Sequence, residues 1–239
     1  MLPTKRARRR GLDPQAPSRI QSRDRLPKNL SAWLMPDFFD DRRPHDGLSY
    51  DAYRDHWRAQ KDRSVEGGDP DERKMIHYLN YNWERQAHVH DAYTPSDELR
   101  AAVASIDEPQ LWMVLTEPWC GDSAFLLPVI AEAAALNDDV TLRILLRDDH
   151  LDIMDQYLTG GSRSIPKLVA FTEDGTELFT WGPRPEPART RYAELRDRYD
   201  DKQKQIADLI EHYEEGGWRE ADAELAEKIH TAMSVSTPR

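Results

Sequence analysis

The stretch Trp119-Cys120-Gly121-Asp122-Ser123 contains the only cysteine among 239 residues. It follows an apolar run at residues 111–115 and opens a run at residues 121–137 with the pattern of a helix. A thiol at the start of a helix lies where backbone N–H groups and the helix dipole favour the thiolate. Ser123 occupies the position in which a C-x-x-C redox pair has its second thiol. The stretch therefore predicts thiol chemistry carried out by a single cysteine.

The segments around this stretch alternate between strand and helix patterns, and a hairpin follows them. The predicted order is a strand at 111–117, a helix at 121–137, a strand at 140–146, a helix at 150–158, and strands at 168–172 and 177–181 joined at Asp174-Gly175. This order predicts two parallel strands followed by an antiparallel pair. We therefore expect an α/β fold with a central mixed sheet flanked by helices.

Helical patterns lie on both sides of this central region. The apolar spacing predicts helices at 48–65 and 70–92, with Asp69 as the N-cap and Pro70 in the first turn of the second. A short helix is expected to begin at Thr94-Pro95-Ser96, and helical stripes continue beyond residue 187. The predicted organisation is a disordered basic and proline-rich leader at 1–45, an N-terminal helical extension at 46–93, a central domain at 94–213, and a C-terminal helix and tail at 214–239.

Charge and composition limit the function classes. The formal net charge of −11 excludes nucleic acid as the main partner, because a phosphate backbone requires a basic face. Residues 1–30 are locally basic, so a contact of this leader with nucleic acid or an anionic membrane stays an alternative to a solvated leader. No apolar segment reaches the roughly 18 residues that span a bilayer. With one cysteine and no recognisable signal sequence, we expect a soluble protein of the reducing cytoplasm that makes no membrane contact through a spanning segment.

A second feature accompanies the cysteine. Ser164-Ile165-Pro166 precedes a predicted strand, and Pro128 lies eight residues after Cys120, inside the predicted helix. Cis peptide bonds are almost confined to X-Pro pairs. A cis-proline that precedes a strand and faces a cysteine at the start of a helix is a recurrent redox arrangement.

These motifs, taken together, carry a resemblance to a known family. They are Trp119-Cys120-Gly121-x-Ser123, Pro128, Arg163-Ser164-Ile165-Pro166, the Asp174-Gly175 hairpin, Leu115-Thr116-Glu117-Pro118-Trp119, Leu146-Arg147-Asp148, Met154-Asp155-Gln156-Tyr157-Leu158 and Trp181-Gly182-Pro183-Arg184-Pro185. The chain resembles the thioredoxin superfamily over roughly residues 48–215. It is most similar to a group of largely uncharacterised bacterial thioredoxin-like proteins that often have a small residue in place of the second cysteine. The resemblance implies a thioredoxin-like fold with helical N- and C-terminal extensions.

The chain departs from thioredoxin at three positions. Ser123 replaces the resolving cysteine, Asp122 replaces the proline of the motif, and Val114 stands where thioredoxin has a buried acid that accepts a proton. The Asp122 carboxylate opposes formation of the thiolate, whereas the helix N-terminus favours it, and a Ser123 hydroxyl could donate to the sulfur. The sequence leaves the balance of these effects open.

The resemblance also implies a set of site residues. Cys120 and Ser123 are the candidate catalytic residues, and the loop at Ile165-Pro166 is expected to face the sulfur and to pair with an extended substrate segment. Arg163 and Arg184 could meet the carboxylate of an acidic, glutathione-like thiol, or be solvated loop charges. The candidate substrate-binding residues are Trp119, Gly121, Asp122, Arg163, Ile165, Pro166 and Arg184.

Two functions are compatible with this site. The first is monothiol thiol–disulfide exchange, in which Cys120 forms a mixed disulfide that an external thiol resolves. The second is a non-catalytic thioredoxin-fold binding module or redox sensor, with the helical flanks at 48–92 and 190–232 carrying the interaction. We expect no cofactor, with a low-molecular-weight thiol as a candidate co-substrate, and a protein or small thiol or disulfide as the partner. The oligomeric state stays open.

Other site classes fit less well. A peroxide-reducing cysteine of the peroxiredoxin type requires threonine three residues earlier, where this chain has Glu117. The monothiol glutaredoxin pattern for iron–sulfur binding is absent. His88 and His90 are only two residues apart and therefore point to different sides of a helix, so we expect no metal site.

Overall fold

The computed structural model describes residues 35–64 and 68–236, and its central element is a four-stranded sheet. The strands are β1 (Gln110–Thr116), β2 (Val140–Leu146), β3 (Lys167–Thr172) and β4 (Glu177–Trp181), in the spatial order β2-β1-β3-β4. Strand β1 pairs with β2 in parallel and with β3 antiparallel, so Val114 lies opposite both Ile144 and Leu168. Strands β3 and β4 form the antiparallel hairpin. The predicted mixed sheet is confirmed.

Helices surround this sheet. They are α1 (Asp37–Asp40), α2 (Tyr50–Lys61), α3 (Pro70–Ala92), α4 (Asp97–Ala104), α5 (Gly121–Ala134), α6 (Leu151–Met154), α7 (Glu186–Arg198), α8 (Lys202–Glu214) and α9 (Glu220–Ser236), with 3₁₀ turns at Arg147–Asp149 and Gly217–Arg219. Helix α3 begins where predicted, because the Asp69 carboxylate accepts the N–H groups of Asp71 and Glu72 at 2.8 and 2.9 Å. Within the described ranges, no helix combines the length and apolar character that crossing a bilayer requires.

The two faces of the sheet contact different groups of side chains. Alternate residues of β1 point to opposite faces, so Trp112 and Val114 pack on one side and Met113 and Leu115 on the other. The first side is covered by α5 and the helical flanks, and the second by α1 and α6. All seven residues of β1 are buried, as expected for a strand with neighbours on both edges and both faces.

The helical flanks share the core of the central domain. The Trp57 indole N–H of α2 donates to the Leu79 carbonyl of α3 at 3.1 Å. Asp222 of α9 is buried and accepts the Tyr93 hydroxyl at 2.6 Å and the Ser96 N–H at 3.0 Å, which fixes the start of α4. These buried polar contacts join α2 to α3, and α9 to the start of α4.

The segment at residues 35–45 differs from the expected disordered leader. Phe38 and Phe39 of α1 are buried, and their rings lie 6.3 and 5.1 Å from the Phe171 ring of β3. Because the second face of the sheet is apolar, these two rings provide the burial that orders the segment. Residues 1–34 lie outside the described residues, so the disorder predicted there, like the domain boundaries as a whole, stays a prediction.

The helix predicted at 150–158 is also shorter than expected, since α6 ends at Met154. A turn follows it, in which Thr159 and Ser162 exchange backbone hydrogen bonds at 2.9 and 3.0 Å. Gly160 and Gly161 between them have φ values of 57° and 78°. The left-handed backbone available to this glycine pair produces a reversal that the helical pattern did not reveal.

Candidate functional site

Cys120 lies at the N-terminus of α5, directly after the turn that leaves β1. Its backbone N–H donates to the Glu117 carbonyl at 3.1 Å, and it occupies the N-cap position with extended dihedral angles. The first N–H groups of α5 therefore point toward the region of the sulfur, where the helix dipole favours negative charge. The residue is 8% exposed, so little of it reaches solvent.

The Ile165-Pro166 loop lies against this cysteine. The peptide bond between Ile165 and Pro166 is cis. The Cys120 thiol donates to the Ile165 carbonyl oxygen, with 3.4 Å between sulfur and oxygen. The structure therefore brings together the two features that the sequence separates by 45 residues.

Ser123 lies beneath the sulfur, in the first turn of α5. Its oxygen accepts a hydrogen bond from the Thr116 hydroxyl of β1 at 2.7 Å, and both side chains are buried. Since this oxygen already accepts from Thr116, the Ser123 proton is available to the sulfur. A hydrogen bond of this kind lowers the pKa of Cys120.

Asp122 is held on the other side of the cysteine by two residues from later elements. The Arg184 guanidinium binds its two carboxylate oxygens at 2.8 and 2.6 Å, and the Tyr213 hydroxyl of α8 donates to it at 3.1 Å. The Asp122 and Arg184 side chains are 12% and 19% exposed. The acidic residue is thus fixed next to Cys120 by contacts within the chain.

Gly182 explains how Arg184 comes so close to α5. It has a φ of 103°, which an L residue rarely adopts, and a Cβ placed on it would lie 2.3 Å from the Pro166 carbonyl oxygen. Only glycine lets the chain after β4 pack against the Ile165-Pro166 loop. The Trp181-Gly182-Pro183-Arg184 motif is therefore a means of placing a guanidinium beside Asp122.

Burial decides whether the thiol or the thiolate form of Cys120 is favoured, a question that the sequence left open. Removal from water raises the pKa of Cys120 to about 11, and the Asp122 charge acts in the same direction. Hydrogen bonding by Ser123 and the charge of Arg184 lower the pKa but do not compensate. At neutral pH the protonated thiol therefore predominates.

The two arginines proposed to meet an acidic thiol are both engaged within the chain. Arg184 binds Asp122, and Arg163 binds the Asp155 carboxylate at 2.6 and 2.8 Å on the exposed surface. Another arginine, Arg147, lies over the Trp119 ring at 4.8 Å and donates to the Arg163 carbonyl at 3.1 Å. Trp119 is half-buried next to the sulfur, so the cation–π contact defines one edge of the site.

The sequence analysis did not identify Glu117 as a site residue. Its carboxylate is buried at the end of β1 and accepts the Asp148 N–H at 2.8 Å. Burial raises its pKa to about 7, and the Asp148 N–H lowers the pKa less than burial raises it. The available signal was an acidic residue that directly follows a largely apolar strand and lies three positions before the cysteine.

His90 has a structural role on α3. His90 binds the Tyr50 hydroxyl at 2.7 Å and the Glu132 carboxylate at 3.1 Å, which connects α2, α3 and α5. Among residues 35–64 and 68–236, no three His, Cys, Asp or Glu side chains are arranged to hold a metal ion.

Two solved structures match this chain. One is the crystal structure of an HIV epitope scaffold of the 4E10 series, which is 19% identical, has a TM-score of 0.52, and covers 80% of this chain and 97% of its own. The other is a protein of unknown function, PA1234 from Pseudomonas aeruginosa, which is 18% identical with a TM-score of 0.47, covering 77% of this chain and 99% of its own. No curated protein matches the chain.

The family is established by sequence. A family model described as thioredoxin matches residues 68–200, which is more than half of the chain and includes α3, the whole sheet and α7. The matched segment contains Cys120, Ser123 and the Ile165-Pro166 loop. This chain belongs to the thioredoxin family.

Proposed function

We propose that the protein carries out monothiol thiol–disulfide exchange with Cys120 as the nucleophile. The observation that carries this proposal is the position of the sulfur at the N-terminus of α5, 3.4 Å from the Ile165 carbonyl that precedes cis Pro166. Ser123 adds a hydroxyl on the inner side of the sulfur. Cys120 supplies the thiol, Ser123 supplies a hydrogen-bond donor for the thiolate, and the backbone at Ile165 supplies an edge with which a substrate can pair.

The proposed exchange has two steps. The Cys120 thiolate attacks one sulfur of a disulfide, which forms a mixed disulfide and releases the other sulfur as a thiolate that takes a proton from water. Because position 123 has a hydroxyl in place of a second thiol, an external thiolate then attacks the mixed disulfide. This second step regenerates the Cys120 thiolate and leaves the substrate sulfur joined to the external thiol.

The substrate class follows from the surroundings of the sulfur. The backbone at Ile165 can pair with an extended segment, as an added strand does, so a protein disulfide or a protein–small-thiol mixed disulfide is the proposed substrate. Arg163 and Arg184 are engaged by carboxylates of this chain, so the proposal does not depend on them for recognition. The external thiol places the activity in a reducing compartment, which we propose to be the cytoplasm.

A second function is favoured by a specific observation, the burial of the thiol. A cysteine that is 8% exposed, with its pKa raised to about 11, reacts slowly at neutral pH. A thioredoxin-fold binding module or a redox sensor, in which Cys120 is oxidised only occasionally, is compatible with such a thiol.

One experiment separates these functions. The reduced protein is incubated with oxidised glutathione between about pH 7 and pH 10, and mass spectrometry follows the adduct on Cys120, with Cys120→Ser as the control. For an exchange protein we expect adduct formation that accelerates with pH and reverses with excess reduced glutathione. A thiol that iodoacetamide modifies but glutathione does not would support the binding module.

Restoring the second thiol tests the geometry. Ser123→Cys should gain reduction of insulin disulfides by a dithiol mechanism, because position 123 completes the C-x-x-C spacing in the first turn of the helix that Cys120 caps. The unaltered protein should be poor in the same assay, and robust turnover by it would contradict the monothiol mechanism.

A further inference from the structure

Asn82 is a polar residue among the buried positions of α3. It is 1% exposed, and Ile76, Leu79 and Val89 of the same helix are buried as well. Removing a primary amide from water costs free energy unless hydrogen bonds replace its contacts with water, and asparagine forms helices less readily than leucine. Packing alone would be served by an apolar residue, so the amide calls for an explanation.

Both ends of the Asn82 amide form hydrogen bonds. Its Nδ2 donates to the Pro118 carbonyl oxygen at 3.1 Å, and its Oδ1 accepts from the Arg85 guanidinium at 3.0 Å. Because a guanidinium can only donate, the Arg85 contact requires the amide oxygen on its side and leaves the amide N–H group for Pro118. Helix α3 is thereby bonded to a loop 36 residues later in the chain.

The Pro118 carbonyl belongs to the turn that leads to Cys120. The Cys120 N–H closes this turn by donating to the Glu117 carbonyl at 3.1 Å. Since a peptide unit is planar, a bond to the Pro118 oxygen fixes the plane of the whole Pro118–Trp119 unit. The backbone that carries the sulfur follows directly from this plane, and the sulfur meets the Ile165 carbonyl at 3.4 Å.

We propose that Asn82 is a positioning residue for Cys120, because it holds the Glu117–Cys120 turn in the arrangement in which the sulfur faces the Ile165-Pro166 loop. The inference deepens the proposed exchange function and rests on it. Attack on a disulfide requires the sulfur atoms to be aligned, so a small displacement of the turn slows the exchange. The N-terminal helical extension thus has a role in the site, although α3 lies outside the central domain predicted at 94–213.

The variant that tests this role is Asn82→Asp. It keeps the size of the side chain and an acceptor for Arg85, and it replaces the donor to Pro118 by an oxygen. Asn80→Asp is the matched control, since it makes the same chemical change on the same helix. The Asn80 amide donates to the Ile76 carbonyl at 2.9 Å, one turn earlier in α3.

The first measurement is hydrogen–deuterium exchange followed by mass spectrometry, in which residues 117–123 are compared with β1. In Asn82→Asp the protection of residues 117–123 should fall about ten-fold relative to β1, because the turn loses the bond that holds it. Asn80→Asp should leave this ratio unchanged. Equal losses of protection in both segments would mean that Asn82 only stabilises the fold, and would overturn the proposal.

The second measurement compares two reactions of the same sulfur. The rate of adduct formation with oxidised glutathione is divided by the rate of alkylation by iodoacetamide. Both reactions use the thiolate, so the quotient removes changes in the pKa of Cys120. Only the glutathione disulfide is large enough to pair with the backbone at Ile165 while it reacts. The quotient should fall about ten-fold in Asn82→Asp and stay constant in Asn80→Asp. Equal quotients in the two variants would overturn the positioning role.

Arg85→Met decides the matter if Asn82→Asp does not fold. It removes the group that orients the Asn82 amide and keeps most of the apolar stem, so the protection of residues 117–123 should fall about three-fold relative to β1. An unchanged ratio would overturn the proposal. If hydrogen exchange responds as expected but oxidised glutathione gives no adduct with the unaltered protein, Asn82 holds the turn and the exchange function fails.

Discussion

Two arginine–aspartate pairs lie near the Cys120 site, and they have the same hydrogen-bond geometry in different surroundings. Arg184 binds Asp122 at 2.8 and 2.6 Å, and Arg163 binds Asp155 at 2.6 and 2.8 Å. The first pair has side chains 19% and 12% exposed, and the second 45% and 48%. The comparison shows that the consequences of a salt bridge depend on what surrounds it.

The surroundings explain what each pair does. Arg184 also lies over the Tyr192 ring at 4.3 Å, and Tyr213 adds a hydrogen bond to Asp122, so the buried pair connects α5, α7 and α8. The exposed pair joins Asp155 to Arg163 across the short turn that follows α6. One pair is part of the packing around the cysteine, and the other closes a surface loop.

The largest expected effect comes from separating the buried pair. Arg184→Ala leaves the Asp122 carboxylate buried without its cation, and we expect the free energy of unfolding to fall by about 3 kcal/mol. Arg163→Ala, the matched change in the exposed pair, should leave it unchanged within error, because water solvates the released Asp155. Urea denaturation of the two variants measures both. Equal losses would show that burial does not distinguish the pairs.

Glu117 extends the comparison to a buried carboxyl whose partner is a backbone N–H instead of a guanidinium. Its pKa in the folded state is about 7, against 4.5 as the ordinary value, so the folded protein holds this proton more tightly than the unfolded chain. The contribution of Glu117 to stability is therefore most favourable at low pH and is lost as the pH rises between these two values.

Replacing Glu117 by glutamine should remove this pH dependence of stability. Between about pH 5 and about pH 8, Glu117 should lower the free energy of unfolding by about 2 kcal/mol, and the glutamine variant should lack this part of the pH dependence. The amide oxygen still accepts the Asp148 N–H, so the contact itself is preserved. Denaturant titrations at both pH values check the difference, and parallel pH profiles for the two proteins would contradict it.

The comparison also shows which features the sequence can predict. The strands follow from the apolar run in β1, the alternation in β2 and the Asp174-Gly175 turn between β3 and β4, and the start of α3 follows from Asp69 and Pro70, because these signals are local. The sequence could not predict in this way which carboxylates Arg163 and Arg184 bind. Asp155 lies eight positions from its arginine and Asp122 lies 62 positions away, and charge alone does not identify either partner.

Burial of the thiol depends on the same long-range packing. A Cβ on Gly121 would lie 3.1 Å from the Ile210 side chain of α8, which shows how closely that helix covers the start of α5. The sequence identified the opposing effects on Cys120, the helix N-terminus and Asp122, but not this cover. The motif at residues 119–123 therefore predicts the family and the position of the sulfur, but it does not predict the pKa of the thiol.

A third prediction tests how the buried pair acts on the cysteine. Asp122→Asn removes the charge that helps to raise the pKa of Cys120 and leaves the Arg184 charge uncompensated, and both changes favour the thiolate. We expect iodoacetamide to modify Cys120 about ten-fold faster at a pH near 8. Asp155→Asn is the matched control in the exposed pair and should show no change. A slower reaction in Asp122→Asn would mean that the lost contacts with Arg184 and Tyr213 outweigh the charge.

The smallest expected effect comes from removing the Tyr192 ring, over which the Arg184 guanidinium lies. Tyr192→Leu removes the aromatic face that the guanidinium contacts, and a partly exposed cation–π contact of this kind contributes roughly 0.5 to 1 kcal/mol. Tyr192→Phe keeps the face and should retain most of that stability, so the difference between the two variants in urea denaturation reports the contact. Combining each variant with Arg184→Ala completes a double-mutant cycle, in which the difference should disappear. If it persists without the guanidinium, Tyr192 stabilises the fold by packing, and the Arg184–Asp122 pair owes its position to Tyr213 and Gly182.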